Sequence, residues 1–91
     1  MRSLRWEAEA LRQLQDALAN TAVHSPPAAE SLFDEIGDKL ALALRFPEIG
    51  RKGRVAGTWE LVVHPNYIVI YAVRRRTIDV IRFLHSRQCY P

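Results

Sequence analysis

The side chains able to do chemistry gather in the second half of this 91-residue chain. His85, Arg82, Arg87 and Tyr90 share one short stretch, and Arg51, Lys52 and Arg54 stand in a loop punctuated by Gly50, Gly53 and Gly57. A proton-carrying histidine, a tyrosine and several fixed positive charges are what acid–base work at a phosphate requires. Each also has a plainer reading. His85 suits a half-buried residue bonded to backbone at a strand end, and Arg82 suits an ion pair with Asp79 or with a partner's carboxylate. His24 and His64 sit beside turn prolines without metal-ligand spacing, and the lone Cys89 has no Cys or His company, so neither metal nor cofactor is expected. The loop glycines neither follow a strand nor open a helix, which excludes a phosphate-binding loop.

The elements that must position these residues can be read from periodicity. Three β-branched and aromatic runs, Trp59 to Val63, Tyr67 to Val73 and Thr77 to His85, are separated by His64-Pro65-Asn66 and by Arg74-Arg75-Arg76. Turn residues between such runs predict an antiparallel meander of three strands. Arg2 to Trp6 alternates polar and apolar residues and can add a fourth strand. From Glu7 the period changes, with Leu11, Leu14, Leu18 and Ala22 at helical spacing up to Val23 or His24. Ser25-Pro26-Pro27 then caps a second helix, whose apolar side is Leu32, Phe33, Ile36, Leu40 and Leu44. A connection this short predicts an antiparallel helix hairpin, with Gly37 as a close-packing position inside its second arm. The expected class is α+β, about four strands in one curved sheet, folded as one domain over residues 1–91.

Such a hairpin covers one sheet face. Apolar residues occupy both alternating sets of the last two strands, so the second face is expected to need a partner, with Tyr67, Val69, Tyr71, Ile81 and Phe83 as candidate contacts. An extended segment ordering across the sheet, or joining its edge, would answer that need. Charge is divided unevenly: residues 1–48 carry five Arg or Lys against eight Asp or Glu, and residues 49–91 carry eight against two. The second half, at +6, suits an acidic protein or a phosphate backbone. No signal segment or run long enough to span a bilayer is found, so a cytoplasmic protein without membrane contact is expected.

The order strand, helix hairpin, basic loop and meander resembles the RelE/ParE superfamily of toxins from type II toxin–antitoxin pairs, closest to its ParE-like branch. The resemblance rests on Phe46-Pro47-Glu48-Ile49-Gly50-Arg51, Glu60-Leu61-Val62-Val63, His64 to Tyr71 and Leu84 to Pro91, with Trp6, Ala10, Leu14, Pro26, Ala28 and Ala29 in step. It covers nearly the whole chain. It implies a cognate antitoxin in a toxin–antitoxin hetero-oligomer, and the surplus apolar sheet surface with the +6 half implies that this partner is acidic and folds as it binds. It also implies one of two targets: ParE-like members poison DNA gyrase, and RelE-like members cut messenger RNA on the ribosome. Cutting RNA through its 2′-hydroxyl needs a base, an acid and cations, for which His85, Arg82 and Tyr90 are the candidates. An arginine commonly follows the aromatic residue of the central strand in the ribonuclease branch, whereas Ile68 follows Tyr67 here. Trp59 replaces a frequent arginine at the start of the meander, and Asn20-Thr21 replaces a Tyr-Ile pair. The reading preferred is gyrase inhibition, with Arg51, Lys52, Arg54, Trp59, Arg87 and Tyr90 as target contacts. RNA cleavage and an inactive, antitoxin-binding remnant are the alternatives.

Overall fold

The computed structural model describes residues 1–88 and Tyr90. Its elements run β1 (Ser3–Trp6), α1 (Ala8–His24), α2 (Pro26–Arg45), β2 (Arg51–Lys52), β3 (Thr58–His64), β4 (Tyr67–Val73) and β5 (Thr77–His85). The sheet order is β1-β5-β4-β3-β2. The meander is therefore as expected, but there are five strands, because the basic loop contributes β2 at one edge. Its two residues pair Arg51 with Glu60 and Lys52 with Trp59. At the other edge β1 lies parallel to β5, Leu4 opposite Ile78 and Trp6 opposite Val80. That one parallel pair follows from connectivity: the helix hairpin intervenes after β1, so no tight turn dictates an antiparallel partner.

Ser25 Oγ accepts from Ala28 N at 3.2 Å and caps α2, with prolines in the first positions where no N–H is needed. Ala10 and Leu14 of α1 and Leu32, Ile36, Leu40 and Ala43 of α2 close over Leu61, Val63, Val69, Tyr71, Ile78, Val80 and Phe83. Leu11 and Phe33 were expected in this core but are 40% and 58% exposed. The apolar stripe of each helix is slightly turned from the sequence reading, with the small Ala10 and Ala43 at the contact. Gly37 is not a close-packing position, since a Cβ there would meet nothing within 4 Å.

The last strand has an irregularity that the sequence conceals. Ile70 pairs with Arg82 and Tyr71 with Val80, so Ile81 is an extra residue in the register. Such a bulge resets the alternation of side chains. Ile78 and Val80 face the helices before it, and Phe83 does so after it. Apolar residues at both parities of β5 therefore partly reflect one face read across a bulge.

The second sheet face is correspondingly less open than expected. Ile70, Ala72 and Leu84 are buried there, outside the cluster that the helices close. Ile70 lies between Glu60 and Arg82 in the ladder. Arg51 holds Glu60 at 2.9 Å, and the Arg82 guanidinium lies 5.5 Å from the Tyr90 ring, so long polar side chains cover this face with their stems. Val62, 59% exposed, Ile49, 42% exposed, and the half-buried Ile68 remain there as apolar surface among the described residues.

Candidate functional site

Residue by residue, the structure divides the candidate side chains into separate groups. Val69, Tyr71 and Phe83 are 0%, 0% and 3% exposed beneath the helices and offer no surface to a partner in the free chain. The alternation that puts them on the covered face follows from Tyr67 leading β4 on that side. Tyr67 stacks on Phe83 at 5.0 Å and is half-buried, as is Ile81 at the bulge. These two alone of the proposed antitoxin contacts retain accessible area.

Arg51, Arg54, Arg87 and Tyr90 come together. They line one cleft of about 250 Å³ on the second sheet face, with Val62 and Ile68 as its apolar floor and Glu60 and Gln88 beside them. The cleft exists because the segment before β2 is pinned to the sheet. Tyr71 donates its hydroxyl to Pro47 O at 2.7 Å and accepts from Gly50 N at 3.2 Å. A Cβ on Gly50 would lie 2.6 Å from Glu60 O, so this position requires glycine for close backbone approach. Arg51 follows directly and bonds Glu60 through Nε and Nη2 at 3.1 and 2.9 Å. Arg54 stands in the turn that Gly53 N→Thr58 O and Thr58 N→Val55 O close at 2.8 and 3.1 Å. Among the described residues neither Arg54 nor Arg87 has an ion pair, which leaves two guanidiniums for an incoming anion.

His85 and Arg82 are not among the described residues lining that cleft. His85 lies edge-on to Tyr67 at 5.6 Å, and its Nδ1 accepts from Arg87 N at 3.2 Å. Its backbone N donates to Gln88 Oε1 at 2.8 Å. Arg82 bonds Ile81 O at 2.7 Å and faces the Tyr90 ring, rather than pairing with Asp79. Asp79 instead takes Arg5 at 3.2 Å and Arg74 at 3.3 Å. The Thr77 side chain first, then Arg74 and Arg5, hold its carboxyl below the usual range against the opposing effect of burial. Lys52 is exposed on β2, and Trp59 is half-buried in a different cleft with Arg2, Arg45 and Phe46. Cys89 lies outside the described residues. No group of His, Cys, Asp or Glu among the described residues is placed to hold a metal ion.

Sequence reasoning missed an apolar groove on the helix side. Leu4, Trp6, Phe33, Gly37, Leu40 and Leu44 line it, between β1 and α2, and it has almost no polar wall. The signal was present as Gly37, whose missing side chain leaves the groove open.

Residues 4–90 match the family described as ParE toxin of type II toxin-antitoxin system, parDE, and the chain belongs to that family. It is 32% identical over 89 residues to the candidate toxin Y4kP of Sinorhizobium fredii, covering 97% of this chain and 92% of that protein. Among solved structures, a chain of the chromosomal ParDE TA system from P. aeruginosa superposes with a TM-score of 0.79 at 20% identity, over 93% of this chain and 96% of that one. A copper-bound mutant toxin from Helicobacter pylori gives 0.68 at 16% identity, over 99% and 100% of the two chains. At such identities these two likenesses carry the fold. None of the described helices is long and apolar enough to cross a membrane.

Proposed function

We propose that this protein is a toxin that inhibits DNA gyrase, is neutralised by a cognate antitoxin, and acts in the cytoplasm as one domain. The observation that supports gyrase over messenger RNA is that the His85 imidazole is bound up in local contacts at the strand end and is not among the described residues lining the basic cleft. A nuclease needs base, acid and phosphate cations within reach of one scissile bond. Here the cleft holds Arg51, Arg54 and Arg87, while the imidazole Nδ1 is engaged by Arg87 N and the ring packs on Tyr67. That arrangement favours a contact surface built from Arg54, Arg87 and Tyr90. The antitoxin's surface is the groove around Phe33 and Gly37, an apolar seat of the kind that takes an amphipathic helix. Cleavage of messenger on the ribosome remains the second reading, favoured by the short span holding Arg82, His85 and Tyr90.

The deciding experiment measures gyrase supercoiling and cleavage of ribosome-bound messenger with the same purified chain. Supercoiling should stop and messenger should stay intact, with His85→Ala retaining the inhibition to within about threefold, as expected for one contact among many. Messenger cut in the ribosomal A site by the parent chain, and a loss of about a hundredfold or more in His85→Ala, would reverse the assignment.

A further inference from the structure

A second cationic site lies at the opposite end of β4 and β5 from the Arg54–Arg87 cleft. The three-arginine turn Arg74 to Arg76 joins these strands there, and all three side chains are exposed. Arg2 donates from Nε to Arg74 O at 2.7 Å, which ties the N-terminal segment to the turn. Arg5 and Arg74 share the single carboxylate of Asp79, and among the described residues Arg75 and Arg76 have no ion pair. Beside the turn, reached through Val73 and through the Arg2 that bonds Arg74 O, is a cleft of about 440 Å³ lined by Arg2, Val73, Trp59, Phe46 and Arg45. Phe46 is 54% exposed, and the Arg45 guanidinium lies 5.5 Å from its ring centroid.

We propose that this end of the molecule binds single-stranded nucleic acid, with a base against Trp59 and Phe46 and the flanking phosphates on Arg2, Arg75 and Arg76. Aromatic and guanidinium planes inside a cleft are reached by an unstacked base and not by one held in a duplex. Arg2 in the wall and the exposed arginines of the adjoining turn suit phosphates, since each guanidinium offers a planar pair of donors and keeps its charge. Glu48, the one carboxylate among the described residues lining the cleft, disfavours a phosphate there and favours one toward the turn. An acidic peptide would satisfy the charges but would leave the two rings without a stacking partner. The inference concerns the chain by itself and does not depend on which target it poisons.

The test is fluorescence anisotropy with a labelled, mixed-sequence DNA strand of about 12 nucleotides, a length suited to one single-strand site. The strand is compared with its own duplex over a series of salt concentrations, using the full chain. The single strand should bind more tightly than the duplex. Arg74→Ser with Arg75→Ser and Arg76→Ser should weaken binding by about tenfold or more and flatten the salt dependence by two to three phosphate contacts. Phe46→Ala, at an exposed position, should cost about five- to a hundredfold without changing the salt slope, because stacking releases no counterions. Equal or tighter binding of duplex overturns the proposal, as does indifference to Phe46→Ala or equal competition by polyglutamate. Loss of binding in Arg54→Ser with Arg87→Ser, while the triple arginine variant still binds, would place the strand in the other cleft and equally refute it.

Discussion

At the scale of single residues, Tyr71 connects the core to the basic cleft. Its ring is fully buried, and its hydroxyl holds both Pro47 O and Gly50 N. Tyr71→Phe should fill the same space but leave both backbone groups short of a partner, costing about 1–2 kcal/mol in urea unfolding. The same variant should weaken inhibition of the target by loosening Arg51. Burial pushes the Tyr71 hydroxyl up from its ordinary value, opposed by the hydrogen bond from Gly50. A group whose folded pKa is raised adds stability that is complete below its unfolded value, about 10, and is lost as pH rises through the folded one. The parent chain should therefore lose stability above about pH 10 more steeply than Tyr71→Phe, as followed by unfolding midpoints at several alkaline pH values. Gly50→Ala should be worse than either, at about 1–3 kcal/mol, since its Cβ would meet the Glu60 carbonyl and a backbone must move. Little of this was legible in the sequence. Phe46 to Gly50 read as the end of a helix, and nothing in the alternation of β4 distinguishes a tyrosine that packs from one that also bonds a loop.

At the scale of elements, the meander, the helix hairpin and the Ser25 cap were legible because period and turn chemistry are local. The parallel placement of β1 was not, because its partner strand begins only at Thr77; the bulge at Ile81 and the two-residue β2 pair with near neighbours but leave no mark in period or turn chemistry. The bulge misled in part: within β5 it set residues of the helix-covered face at both parities, and the exposed apolar surface of α2 went unnoticed beside that of the sheet. Two outcomes follow from that helix surface. Phe33→Glu should leave the fold intact, since Phe33 is 58% exposed, and should reduce concentration-dependent self-association in sedimentation velocity. Gly37→Ala should stabilise the isolated chain by about 0.5–1 kcal/mol, because a Cβ there is unobstructed and glycine costs helix stability. A gain in thermal midpoint alongside weaker antitoxin binding would match a groove kept open for a partner; a loss of stability would contradict the open space around that position.

At the scale of the whole molecule, charge and apolar surface are laid out apart. The Arg54–Arg87 cleft, the Trp59–Phe46 cleft beside the arginine turn and the apolar groove share no lining residue, so one variant need not disturb another. Arg87→Ala combined with Tyr90→Ala should lower gyrase inhibition by about tenfold or more while the unfolding midpoint stays within experimental error, since neither side chain is in the helix-covered core. The parallel seating of β1 has a consequence in time. Ser3 to Trp6 leave the ribosome early, yet the strand they pair with begins at Thr77. Until that strand is made, Leu4 and Trp6 have no ladder to join, whereas α1 and α2 can already meet each other through their own apolar faces. Contacts that span so much sequence form late, after the costly closure of the intervening chain. The half-made protein therefore has a helix hairpin but no finished sheet and neither basic site. A partner recognising the hairpin alone could take hold of the chain during synthesis, before there is anything to restrain.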